Sequence, residues 1–196
     1  MSIKARTIEM PPLSIAIQVF KDGKIIYDMP IRPSHSWMRN AYICWINNLG
    51  NKTSADVTFG EGYWTGKNIG AGLGIPASFE WDGGLAAEAS GIVVGTGTDA
   101  EDPLNYILTT RIAHGNSAGQ LYYTASETLV QSWVTGVVTM SRSRYFNNNS
   151  GGSITVNEVG VYSTYLVCRD KLGTGVVVPD TGQLKITYSA SCDVSP

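Results

Sequence analysis

Two glycine-framed stretches carry the lettering of known chemical turns. Gly95-Thr96-Gly97-Thr98-Asp99-Ala100 follows the apolar residues 92–94 and matches G-x-G-x-x-A, the turn that seats a dinucleotide pyrophosphate on a helix N-terminus. Its charges oppose that chemistry. Asp99, Glu101 and Asp102 would set negative charge against the anion, and Pro103 stands where the helix should already be running. Gly115-Asn116-Ser117-Ala118-Gly119 matches G-x-S-x-G, the nucleophile elbow of serine hydrolases. An elbow needs a helix after the serine and a histidine further along the chain. Residues 121–125 read as a strand, and the only histidines, His35 and His114, precede Ser117.

Carboxylates offer two further possibilities. Asp99, Glu101 and Asp102 supply oxygens of the kind calcium takes, but not at the spacing of a calcium loop, so they read as a solvated acidic loop. Glu80 and Asp82 lie two apart, roughly 6–7 Å in an extended segment, which does not make a glycosidase pair. Arg142 and Arg144, beside Tyr145 and Phe146, come nearest to a basic stripe, and two arginines in a strand read first as solvated or salt-bridged. Asn51-Lys52-Thr53 and Asn148-Asn149-Ser150 are glycosylation sequons in form, with no secretory signal to give them meaning. The residues therefore predict no catalytic, cofactor or metal site.

Composition narrows the partners. The net charge of −2, from 16 acids and 14 bases, argues against a nucleic-acid surface. No apolar run approaches the ~20 residues of a membrane helix. Charged residues make up 15% of the chain against about 25% in ordinary domains, which suits a β protein packed on neighbours. Cys44, Cys168 and Cys192 are odd in number and far apart, the pattern of free thiols made in a reducing compartment.

These features need elements to hold them. Residues 1–12 read as an arm ending in Pro11-Pro12, and 13–196 as a single β-rich domain. Asp22-Gly23 between two apolar runs predicts a hairpin, whose second strand Pro30 and Pro33 should break. Residues 36–49 predict one amphipathic helix: Ser36 is its N-cap, Gly50 its stop, and Met38, Ala41, Tyr42, Trp45 and Leu49 share a face. Residues 51–90 form a long glycine-rich loop carrying Tyr63, Trp64 and Trp81. From 91 to 190, short strands with turn signals between them predict an antiparallel sandwich of jelly-roll type. Asn147 to Gly152, NNNSGG, reads there as a hairpin loop, and LKITY near the end as an edge strand.

Several blocks of the second half, in order, carry a resemblance. GIVVGTGTDAEDPLNYILTTRIAHG, RYFNNNSGGSITVNEVGVY and LVCRDKLGTGVVVPDTGQLKITYSA resemble a pattern found in tailed-phage structural proteins, over roughly residues 90–190. The resemblance implies a virion component of neck, tail or capsid-surface (decoration) type, made in the bacterial cytoplasm and self-associating beside capsid, portal or tail proteins. It implies no catalytic residue. On that reading Tyr63, Trp64, Trp81, Asp99, Glu101, Asp102, Arg142, Arg144, Arg169 and Asp170 are the candidate subunit contacts. Two rivals stand beside it. One is a host-glycan-binding tail-fibre domain that stacks sugars on Tyr63, Trp64 and Trp81; the other is a hydrolase acting through Ser117.

Overall fold

The computed structural model describes residues 11–34, 37–38, 41–42, 81–163 and 165–193. Nine strands follow one another: β1 (Leu13–Lys21), β2 (Lys24–Pro33), β3 (Ser90–Gly95), β4 (Tyr122–Ser126), β5 (Val130–Val134), β6 (Val137–Asn147), β7 (Ile154–Ser163), β8 (Tyr165–Val178) and β9 (Gln183–Asp193). They form two antiparallel sheets. The larger runs β2-β1-β9-β6-β4, with β5 also on β6; the smaller runs β3-β7-β8. The chain is mainly β and its two sheets pack as a sandwich-like pair over one shared core.

Strict alternation builds the large sheet. Leu13, Ile15, Ile17 and Val19 of β1 and Leu184, Ile186, Tyr188 and Ala190 of β9 point inward and are buried, while the residues between them are half-buried on the outer side. Each inward side chain contributes about 1.5–3 kcal/mol on burial. Both two-residue turns use left-handed backbone: Asp22-Gly23 (φ 51° and 72°) closes β1–β2, and Thr135-Gly136 (φ 49° and 80°) closes β5–β6. The small sheet alternates at one end, where Thr155 and Val177 are exposed, and ceases to alternate over 158–163 and 166–170, where both faces are covered. A register shift between Val156 and Glu158 in β7 lets Val156, Val159 and Val161 all be buried. Residues 96–121 lie over the other face, where Leu108 and Ile112 are buried and Leu108 N–H donates to Tyr162 Oη at 2.6 Å. Gly160 makes room for Leu108 and Leu166: a Cβ there would meet Leu166 Cδ1 at 2.7 Å.

Several expectations change. β2 runs on through Pro30 to Pro33, because it is the edge strand and a register shift between Ile15 and Ile17 absorbs the proline. NNNSGG is not a hairpin loop: β6 and β7 belong to different sheets, so the segment is a corner between layers. Asn148, fully buried, organises it by donating to Gly152 O and Val178 O, both at 2.8 Å, and accepting from Ser150. LKITY is not an edge, since β9 lies between β1 and β6. The short strands expected over 91–190 include one long one, β8, across 165–178. Residues 102–105 make a turn rather than a helical start: Asp102 accepts from Leu104 N–H through its side chain and from Asn105 N–H through its main chain, both at 2.8 Å. Among the described residues the strands divide six and three between the two sheets.

Of the helix expected over 36–49, only four residues are described. Trp37 bridges Cys168, Met38 and Ala41 are buried, and Tyr42 is exposed; the rest lies outside the described residues. So do Cys44, most of the 1–12 arm, and the 51–90 loop up to Trp81.

Candidate functional site

The stretch that looked like a nucleotide turn has a different physical cause. A Cβ on Gly95 would lie 2.6 Å from Glu158 Oε1, and one on Gly97 would collide with the same carboxylate. The paired glycines admit Glu158, which is fully buried on β7. Glu158 Oε2 accepts from Arg169 Nε at 2.8 Å, and Oε1 accepts from Thr110 Oγ1 at 3.3 Å. Arg169, opposite Gly160 on β8, carries the charge on into the acidic loop. Its Nη1 donates to Asn105 Oδ1 (2.6 Å) and Ala100 O (3.1 Å), and its Nη2 to Asp99 O (3.2 Å). Glu101 Oε1 accepts Lys171 N–H at 2.5 Å. The loop is thereby stapled to the small sheet through main-chain and carboxylate contacts, and of its three carboxylates Asp99 and Asp102 are exposed while Glu101 is half-buried.

Arg169 and Asp170 were expected at a strand-end corner or subunit contact. Both lie within β8 and are buried in the chain itself, which corrects that expectation. Asp170 Oδ2 accepts from Ser34 Oγ at 2.6 Å and from Tyr188 Oη at 2.7 Å, with Cys168 Sγ at 3.5 Å, so it joins the two sheets. Arg144 is corrected likewise. It is fully buried, and its guanidinium donates to four carbonyls: Ile92 O (2.7 Å), Thr124 O (2.8 Å), Gly84 O (2.8 Å) and Ser90 O (3.2 Å). The Tyr123 ring lies under it at 4.9 Å. Desolvation, partly offset by Tyr123 and Asp82, pushes Arg144 down to about 10. Arg142 pairs with the exposed Asp82 at 2.7 Å. Trp81 is half-buried, packed on the core with its ring 6.3 Å from Trp37, so it anchors its segment. Tyr63, Trp64 and Glu80 lie outside the described residues.

The serine motif is an exposed turn. Ser117 N–H donates to Gln120 Oε1 at 3.0 Å, while His114 Nδ1 accepts Tyr123 N–H at 3.0 Å, which engages the imidazole with the main chain. Among the described residues no three His, Cys, Asp or Glu side chains gather as a metal group, and no helix is long and apolar enough to cross a membrane. The comparisons find nothing: no protein-family model, curated protein or solved structure matches this chain.

Exposed apolar side chains occur at Leu85, Leu104, Ile107 and Val177, and others gather at the margins of the large sheet. Every residue of β5 is exposed, with Val130 at 62%, Trp133 at 71% and Val134 at 65%. β2 exposes Ile25, Ile26 and Ile31, but it also carries Lys24, Asp28, Arg32 and two prolines, the residues that blunt an edge. β5, Val-Gln-Ser-Trp-Val, has no charge and no proline. Composition alone could have singled it out, but its exposure follows from where β6 places it.

The cross-sheet hydroxyls predict an alkaline limit to stability. Burial raises the phenols of Tyr123, Tyr162 and Tyr188 and the Cys168 thiol. The unfolded chain releases those protons from about pH 8.5 (Cys) and 10 (Tyr), while the folded chain holds them, so stability is present below that range and lost above it. Arg144 acts in the opposite sense above about pH 10, because the folded chain gives up its proton first, but it is one group against four. Urea midpoints should fall steeply above about pH 10. A midpoint that holds steady from about pH 9 to about pH 11 would contradict this.

Proposed function

We propose that this chain is a non-enzymatic structural subunit of a tailed-phage virion, a neck, tail or capsid-decoration component that assembles with copies of itself and with other virion proteins. The sequence resemblance supports the virion class, and the jelly-roll-like reading of the sandwich with its N-terminal helix belongs to the same proposal. The observation that carries self-assembly is β5, an uncharged apolar edge strand that a protein acting alone would have reason to protect. Its sequence is nearly palindromic about Ser132. An antiparallel pairing of two copies sets Val130 against Val134 and Gln131 against Trp133, with no charge opposing charge.

Two measurements test this. In sedimentation equilibrium the full chain should be a multimer, and Trp133→Lys should weaken association by at least about tenfold, since large aromatics dominate such contacts. Ile26→Lys on the blunted β2 edge should do less. A wild-type monomer at all concentrations, or an unchanged Trp133→Lys variant, overturns the assembly reading. Particles of the encoding phage should contain the chain at fixed copy number in a ring or lattice; its absence from them overturns the virion reading.

A further inference from the structure

The outer face of the large sheet offers a second surface, which meets the β5 edge at Val130. Alternation that buries Val19, Leu184 and Phe146 turns Phe20, Gln183 and Asn147 outward. Register places these three side by side across β1, β9 and β6. Gln183 Nε2 donates to Asn147 Oδ1 at 2.7 Å, which fixes both amides and leaves further donors and acceptors directed outward. One step along, Lys185 lies opposite Tyr145, with its ammonium 5.2 Å from the ring centroid. A hollow of about 310 Å³ opens on one side of Gln183, among Phe20, Asp22, Asn147 and Asn149. Another of about 600 Å³ opens on its other side, among Thr124, Glu127 and Tyr145. Gln183 lines both, so the two hollows are neighbouring parts of one groove.

We infer that this groove binds a neutral hexose oligosaccharide. Aromatic faces at Phe20 and Tyr145 suit the apolar faces of sugar rings. The amides between them suit hydroxyls, which need a donor and an acceptor together. Strands spaced about 4.8 Å apart present such groups at nearly the repeat of a hexose chain. Asp22 and Glu127 stand against Lys185 and Lys21, whose ammonium reaches Thr181 at the rim, so the groove has no excess of either sign to hold a charged sugar. This ligand surface differs from the Tyr63–Trp64–Trp81 set that the sequence suggested.

The test is titration of the full chain with neutral hexasaccharides of the gluco, manno and galacto series, and with a heparin hexasaccharide as the anionic control, followed by amide chemical shifts. At least one neutral chain should bind at up to millimolar concentration, with shifts at outward residues of β1, β6 and β9. Gln183→Ala and Tyr145→Ala should each weaken it about tenfold, whereas Tyr145→Phe, which keeps the ring, should change it by less than about threefold. Unchanged melting temperatures would establish that the variants fold. If Tyr145→Ala does not fold, Asn149→Ala on the exposed rim takes its place, with the same loss expected. No binding by any neutral chain, binding indifferent to Gln183→Ala, or tighter binding of the heparin fragment overturns the inference.

Discussion

Replacing Arg144 with methionine should destabilise the fold by about 3–5 kcal/mol, the largest effect expected of any single outward-looking residue type in this chain. Four carbonyls lose their donor at once, and each unsatisfied buried carbonyl costs roughly 1–3 kcal/mol. Part of that is offset, because among the described residues no carboxylate contacts the buried guanidinium directly and desolvation has already pushed its pKa down. Arg144→Lys should not rescue it, since one ammonium has three donors and none of the planar reach needed for Gly84, Ser90, Ile92 and Thr124 together. Arg142→Met is the control. Its partner Asp82 is 59% exposed, so the loss should stay within about 1 kcal/mol. Urea unfolding of the three variants decides the matter, and Arg144→Met within about 1 kcal/mol of wild type would contradict the role assigned to Arg144.

Removing Glu158 should cost nearly as much and reach further. Glu158→Ala leaves Arg169 buried without its counter-charge, a change worth about 3–5 kcal/mol. It also loosens the staple on Asp99, Ala100 and Asn105, so residues 96–105 should become the first site of proteolytic cleavage. The double variant Glu158→Leu with Arg169→Met should lose clearly less than the sum of its parts, because no lone charge remains inside. Limited proteolysis and a double-mutant cycle read both effects. Additive losses, or unchanged cleavage in the loop, would contradict the coupling.

The parts of the fold legible from sequence were those in which local pattern decides. The Asp22-Gly23 turn is set within a few residues, and the structure has the hairpin there as expected. Connectivity was not legible. NNNSGG has hairpin composition, yet the same residues serve a corner between sheets once Asn148 is buried among carbonyls from two segments. β9 looked like an edge because nothing in LKITY says that β1 and β6 will flank it.

The burial of Arg144, Arg169 and Asp170 was hidden from sequence for a related reason. Period-two pattern shows that Arg142, Arg144 and Phe146 share a face, but a charged residue argues for solvent unless its partners are known. Arg144's partners are carbonyls 20 to 60 residues away along the chain. The glycines of the 95–97 turn carried the one usable signal: paired glycines mean close approach, and here the approaching group is Glu158 rather than a phosphate.

The most direct test of the account is hydrogen exchange at β5. In a hairpin closed by a two-residue turn, the residues flanking the turn pair with each other, so Gln131 and Trp133 direct their amides away from β6. If β5 joins copies of the chain, those two amides should exchange freely in dilute protein and become protected as concentration rises, with Trp133→Lys abolishing the protection. Amides of Gln131 and Trp133 that stay unprotected in concentrated protein and in assembled particles would contradict the proposal that this edge builds the assembly.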